Sequence, residues 1–186
     1  MGRRRYLQTK LDLKKESPHT ASSVWFRMKG NVSVNDLVHA SNTEWHQRNM
    51  EDRYYSTNHL MGHGYWVWLI PLASGNTSIG IVTQNAIHDF AAYSRSYETS
   101  LQWLQAHEPI LANHLHAKEP IDFRKMKNYS YGSEQLFSEN RWVCVGEAGI
   151  FSDPFYSPGS DMIALTNTYA CNLILADYNG QLNKEN

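Results

Sequence analysis

The residues able to do chemistry are concentrated in the passage Val145-Gly146-Glu147-Ala148-Gly149-Ile150-Phe151-Ser152-Asp153-Pro154-Phe155-Tyr156-Ser157-Pro158-Gly159-Ser160-Asp161. It runs from an apolar segment, through a small-residue turn carrying one acid, into a Pro/Ser/Gly stretch that opens a helical pattern. An acid at the carboxyl end of a strand can accept hydrogen bonds from ligand hydroxyls. A helix start built of small residues offers unpaired N–H groups and the positive end of the helix dipole. Together these suit an electron-rich ligand edge lying over the helix start. On pattern alone, a plain strand–loop–helix connection with its caps accounts for the same residues equally well. A second passage is Trp66-Val67-Trp68-Leu69-Ile70-Pro71. Tryptophans two apart on a strand share one face. They either line a ligand surface or fill a core.

Elements are needed to hold both passages. Residues 22–30 alternate around Val24, Phe26 and Met28 and read as a strand. Residues 31–50 read as a loop with a short helix at 34–40. Runs at 53–61, 65–72 and 77–83, separated by Gly62-His63-Gly64 and Ala73-Ser74-Gly75-Asn76, read as an antiparallel meander. Phe90, Tyr93, Tyr97, Leu101 and Leu104 recur at helical spacing over 89–107. Pro109 breaks that pattern, and 110–117 allows another short helix. Strands are expected at 123–131 and 141–146. A long helix follows over 158–177, with Ser157 as its cap, Pro158 at its first position and Asn179-Gly180 at its end. Met162, Ile163, Tyr169, Ala170, Leu173 and Ile174 form its apolar set.

Composition narrows the function classes. The chain has 186 residues, 41% of them hydrophobic and 19% charged, which suits one globular unit over 1–186. A formal net charge of -1 gives no field to gather nucleic acid or anionic lipid. Arg3-Arg4-Arg5 and Arg124-Lys125-Met126-Lys127 read as solvated charge. No apolar stretch approaches a membrane span, and the polar, basic N-terminus is not expected to act as a signal peptide. With Cys144 and Cys171 unpaired by spacing, a reducing, cytoplasmic setting is expected. His59 and His63, and His114 and His116, lack ordinary ligand spacing, so no metal site is expected.

The acid-turn passage resembles the second FAD-contacting motif of the flavoprotein monooxygenase superfamily. Trp66 to Pro71 matches the WxWxIP signature of its tryptophan-halogenase-like branch. The order and spacing of the two motifs, Thr77-Ser78-Ile79-Gly80-Ile81-Val82, and the helical stretch ending near Pro109 extend the resemblance over nearly the whole chain. Gly2-Arg3-Arg4-Arg5-Tyr6-Leu7 resembles the end of the family's Asp-Ala-x-Gly-Arg segment, which closes the FAD-binding half. The implied fold is α+β: an antiparallel or mixed sheet with packed helices, forming the substrate and flavin-ring side. The N-terminal Rossmann-type half is expected to be missing, because no Gly-x-Gly-x-x-Gly occurs here.

The resemblance further implies FAD as cofactor, with Gly146, Glu147, Gly159 and Ser160 as its contacts and Glu147 in place of the usual Asp. Trp66, Trp68 and Tyr156 would face the substrate, a small aromatic or otherwise electron-rich molecule. The parent chemistry would pass through a flavin hydroperoxide acting on a halide or on that substrate, with a separate flavin reductase as partner. The resemblance places the family's catalytic lysine in the half expected to be missing, and Lys10, Lys14, Lys15 and Lys29 have no claim to its role. The halide stretch maps to Ser157-Pro158-Gly159, where proline lacks one of the two N–H donors. Tyr156 stands where tryptophan halogenases carry a glutamate. Weak halide binding is therefore expected. Two rival readings stay open: a non-catalytic remnant or apolar-ligand module, and one half of a split flavoprotein.

Overall fold

Glycine-rich turns between β-branched and aromatic runs fold as hairpins, and the largest sheet grows from them. The structure, a computed structural model, describes residues 2–49 and 51–181. It divides into two compact units, Ala21–Asn128 and the described residues of Met1–Thr20 with Tyr129–Asn186. In chain order the N-terminal segment contributes helix α1 (Tyr6–Lys10) and strand β1 (Lys14–Glu16) to the second of these.

The Ala21–Asn128 unit holds β2 (Ala21–Met28), α2 (Val34–Leu37), α3 (Thr43–Arg48), β3 (Asn58–Gly62), β4 (Tyr65–Pro71) and β5 (Thr77–Gln84). Helices α4 (Phe90–Tyr93), α5 (Tyr97–His107) and α6 (Pro109–Leu115) follow, then β6 (Pro120–Met126). The five strands form one antiparallel sheet in the order β3-β4-β5-β2-β6. Alternation assigns the two faces. Val24, Phe26, Met28, Val67, Leu69, Ile79 and Ile81 are buried in one core cluster with Tyr93, Trp103, Leu104, Leu111, Ala112 and Leu115 of the helices. The Tyr93 hydroxyl is paired with Thr83 Oγ1 at 2.7 Å inside this core, and burial pushes its pKa up to about 12. Trp25, Trp66 and Trp68 lie on the opposite face, half-buried.

Several expected boundaries move for local reasons. Residues 53–55 form a 3-10 turn, because the Asp52 carboxylate accepts the Tyr54 N–H at 2.9 Å and caps it, so the strand begins at Asn58. The helical pattern at 89–107 splits into α4 and α5. Ser96 and Thr99 form a capping box that restarts the helix. The strand expected at 123–131 starts earlier, at Pro120, and ends at Met126, before the left-handed Asn128 (φ 47°). A second short helix, α3, was not foreseen within 31–50; Asn42 caps it by accepting the Trp45 N–H.

The other unit adds β7 (Tyr131–Ser133), β8 (Phe137–Ser138), β9 (Trp142–Val143) and α7 (Pro158–Tyr178). β1 pairs with β7 and β8 with β9, both antiparallel. The strand expected over 141–146 shrinks to two residues, because Arg141 (φ 59°) and Gly146 (φ 51°) are both left-handed and bracket it. Cys144 is buried there and acts as a small core residue, and burial pushes its thiol pKa up. α7 starts and stops where its sequence signals stand, but Ser157 makes no side-chain cap. Its expected apolar set is largely uncovered: within this helix only Ala170 is fully buried, and Ile163, Tyr169 and Ile174 are exposed.

Candidate functional site: the acid turn, the helix start and the tryptophan face

Gly146–Ala148 is one turn of 3-10 helix. Gly146 is left-handed there, and a Cβ on it would stand 2.7 Å from Ile163 Cγ1, so glycine lets the turn press onto α7. Its N–H donates to Thr166 Oγ1 at 2.9 Å, and its carbonyl accepts from Gly149 and Ile150. The backbone of Gly146 is thus committed to the fold. The Glu147 carboxylate stands 3.6 Å from the Arg3 guanidinium, and both side chains are about one-third exposed, 37% and 31%. Arg3 is itself fixed, lying over the Phe151 ring at 4.3 Å and donating to the Tyr129 carbonyl at 3.1 Å.

Gln8 holds the turn from beneath. It is fully buried, and its amide donates to the carbonyls of Ala148 (3.0 Å) and Gly149. Tyr131 Oη adds a bond to the Glu147 carbonyl at 2.7 Å. The sequence placed Arg3 in a run of solvated charge and in the Gly-Arg resemblance; the structure corrects the first, since Arg3 is held by Glu147, Phe151 and the Tyr129 carbonyl, and Gln8 carried no signal at all. The two carbonyls it holds are 140 and 141 positions away, beyond any local signal.

The approach to α7 is unusual in its backbone. Tyr156 (φ 57°) and Ser157 (φ 56°) are consecutive left-handed residues, neither of them glycine. Asp153 organises the bend: Oδ1 accepts the Phe155 N–H at 2.9 Å, and Oδ2 accepts Tyr129 Oη at 2.6 Å and His19 Nε2 at 3.0 Å. Tyr156 is exposed beside Phe155, with ring centroids 4.5 Å apart. The Ser157 N–H donates to the Pro154 carbonyl at 2.9 Å, and the Ser160 N–H to the Ser157 carbonyl at 3.2 Å. Pro158 has no N–H. That leaves Gly159, where a Cβ would meet nothing within 4 Å, as the open point of the 157–160 stretch.

On the sheet, Trp66 and Trp68 sit 5.7 Å apart by ring centroid. Trp68 lies across Gly80 of β5, and its Nε1 donates to Ser78 Oγ at 3.1 Å. A Cβ on Gly80 would stand 2.1 Å from the indole, so only glycine admits the ring. Gly80 pairs with Trp68 on one side and Trp25 on the other, which lays an aromatic row across three strands. His59 faces Trp66 at 5.3 Å, and burial lowers its pKa. Such a face offers flat apolar area with a polar edge, which suits an aromatic ligand. Among the described residues, no three His, Cys, Asp or Glu side chains could share a metal ion, and no helix is long and apolar enough to cross a membrane.

Comparison with known proteins points one way. No family model matches the chain. Over 112 residues it is 34% identical to flavin-dependent halogenase chlA of Dictyostelium discoideum, covering 60% of this chain and 19% of that protein. Over 95 residues it is 33% identical to the 1H-pyrrole-2-carbonyl-[peptidyl-carrier protein] chlorinase of Pseudomonas fluorescens, covering 50% of this chain and 20% of that one. The chain thus spans about a fifth of these curated relatives. Among solved structures, the halogenase PltM superposes with a TM-score of 0.78 at 20% identity, over 96% of this chain and 36% of its own. The flavin-dependent brominase Bmp2 follows at 0.67 and 19%, over 91% of this chain and 41% of its own. The chain is similar to a portion of the flavin-dependent halogenases, and its α+β fold with antiparallel sheets is the one found there.

Proposed function

We propose that this chain forms the flavin-ring and substrate-facing portion of an FAD-dependent oxidoreductase of halogenase-like type. The observation that carries the reading is the helix start of α7: an open, Cβ-free approach at Gly159 on a helix of 21 residues, in the same unit as the acid turn at Glu147. These residues fit the ring end of a flavin. The Gly159 N–H would donate to an electron-rich ring edge, helped by the helix dipole. Glu147, oriented by Arg3, would accept from hydroxyls of the attached chain. FAD, when bound, supplies the oxidising chemistry with oxygen. The tryptophan face would stack a small electron-rich aromatic substrate and shed water from it, with His59 at its edge. PltM has been solved in complex with phloroglucinol and FAD, a substrate class in keeping with such a face. A separate flavin reductase would deliver the reduced cofactor.

The halide is the weak point of the family chemistry here. Of the backbone N–H groups over 157–160, Ser157 and Ser160 donate inward and Pro158 has none, so only Gly159 is left for an anion. One missing donor to an anion costs roughly 1.5–3 kcal/mol, about one to two decades of affinity. The complete protein is accordingly read as an oxygenase or other oxidoreductase in preference to an efficient tryptophan halogenase.

Flavin fluorescence tests the ring-end reading directly. Riboflavin and FAD should quench on titration with this chain, weakly and to a similar extent, and Glu147→Ala should weaken both. Stoichiometric FAD retained through purification, or no saturable quenching at all, would sink it. Robust brominated product from the complete protein with reduced FAD, oxygen and bromide would overturn the halide argument.

A further inference from the structure

We propose that His19 is a proton acceptor: its imidazole and the Asp153 carboxylate form a dyad with one ring nitrogen turned outward for a substrate O–H or N–H. His19 lies just past β1 and Asp153 just before α7, 134 positions apart in sequence. Their Nε2–Oδ2 distance is 3.0 Å. Asp153 also accepts from Tyr129 Oη at 2.6 Å on the same oxygen and from the Phe155 N–H at 2.9 Å on the other. A carboxylate receiving donors on both oxygens acts as an acceptor, so the hydrogen between the pair belongs to His19 Nε2. The neutral ring therefore carries its lone pair at Nδ1. No described residue bonds that atom, and the side chain is 36% exposed. The carboxylate thus fixes the tautomer and the orientation of the ring, as in other carboxylate–imidazole pairs.

The step balances simply. The substrate X–H bond breaks, its electron pair stays on X, and an N–H bond forms at Nδ1. The proton stays on the ring, and the adjacent Asp153 carboxylate balances the positive charge. Removing that proton makes an electron-rich aromatic more nucleophilic. The charged and titratable groups facing His19 in the described structure are Asp153 and, through it, Tyr129. The substrate class rests on the proposed flavin-dependent reading, whereas the dyad itself does not.

Diethylpyrocarbonate acylates neutral imidazole nitrogen, and peptide mass mapping resolves the nine histidines. In the native 186-residue chain at fixed, mildly alkaline pH, Asp153→Asn should slow His19 acylation about three- to tenfold relative to His39 and His46. Tyr129→Phe, which removes a competing donor and leaves the dyad, should speed it. An imidazole that merely tethers the chain would show neither change, and equal rates in wild type and both variants would overturn the proposal. Loss of the near-UV spectrum in Asp153→Asn would leave Tyr129→Phe to decide. In the complete protein, His19→Ala should lower kcat about tenfold or more while flavin binding holds, and added imidazole should restore part of it. An unchanged kcat overturns the role. Absence of any flavin-dependent product alongside normal dyad reactivity would refute the oxidoreductase reading and leave the proton acceptor standing.

Discussion

Gly80→Ala should dislodge Trp68. The added methyl would stand 2.1 Å from the indole Cζ2 and 2.2 Å from Cη2, whereas ordinary contact starts near 3.4 Å. The ring must withdraw by about 1.3 Å, 3.4 less 2.1, or the β4–β5 pair must part. Backbone pairing on both sides of Gly80 resists the second course, so the ring moves. Overpacking of this kind costs about 1–3 kcal/mol. Losing the Trp68 Nε1–Ser78 hydrogen bond adds about 0.5–1.5 kcal/mol, offset in part because a half-buried indole can reach solvent. A net loss of about 1–3 kcal/mol corresponds to a fall in Tm of roughly 2–10 °C at this size. Thermal melting gives the magnitude, and near-UV dichroism with tryptophan emission reports the ring. Because the clash is with one side chain, Trp68→Leu should make Gly80→Ala nearly neutral, so the double mutant is strongly non-additive. A Gly80→Ala protein with wild-type Tm and tryptophan spectra, or costs that simply add, would refute the close approach and with it the aromatic row.

Four further outcomes are expected. Gln8→Leu leaves the Ala148 and Gly149 carbonyls without their donor in a buried place and should cost about 2 kcal/mol or more, measured by denaturant unfolding, with the Glu147 turn loosened in hydrogen exchange. Hydrogen bonds from Arg27 at 2.9 and 3.1 Å hold the Asp122 carboxyl below its usual range, so the unfolded chain binds the extra proton first. That contribution is complete above the ordinary carboxylate range and lost as pH falls through the lower folded value; Asp122→Asn should lower neutral-pH stability and flatten the acid limb of denaturant midpoints. Pro158→Ala restores an N–H at the first position of α7 and should raise bromide affinity of the complete protein by about one to two decades, read from the bromide dependence of product formation. The exposed Ile163, Tyr169, Ile174 and Leu175 should bind ANS, and Ile174→Ser with Leu175→Ser should reduce that signal.

What the sequence made legible was local. The hairpin at Gly62-His63-Gly64, the alternation of β2 and β5, and the start and stop of α7 were readable because turn chemistry and period act over a few residues. Where a cap decided the outcome, apolar spacing misled. The pattern through Tyr93 and Tyr97 continues across the break that Ser96 imposes, and the aromatic pair Tyr54-Tyr55 looks like strand until Asp52 caps it. The site splits along the same line. Glu147 and Gly159 stand in a contiguous motif and could be singled out, but Gln8, His19 and Tyr129 act on that motif from far along the chain and carry no mark of it.

The backbone before α7 joins these two levels. Left-handed, non-glycine residues cost about 1–2 kcal/mol each, and Tyr156 and Ser157 stand side by side in that state. Nothing in their residue types favours it; Asn or Gly would do so more cheaply. The bend is held instead by Asp153, which takes the Phe155 N–H, the Tyr129 hydroxyl and the His19 imidazole together, and by the Ser157 N–H on the Pro154 carbonyl. Strain kept in place by a network of this kind collects where geometry must be imposed on a ligand. Here it ends at Pro158, whose ring fixes the helix entry, and Gly159, whose bare backbone is left open. The same contacts that hold the strained bend also present the outward nitrogen of His19, so the proton acceptor and the helix start are built by one carboxylate.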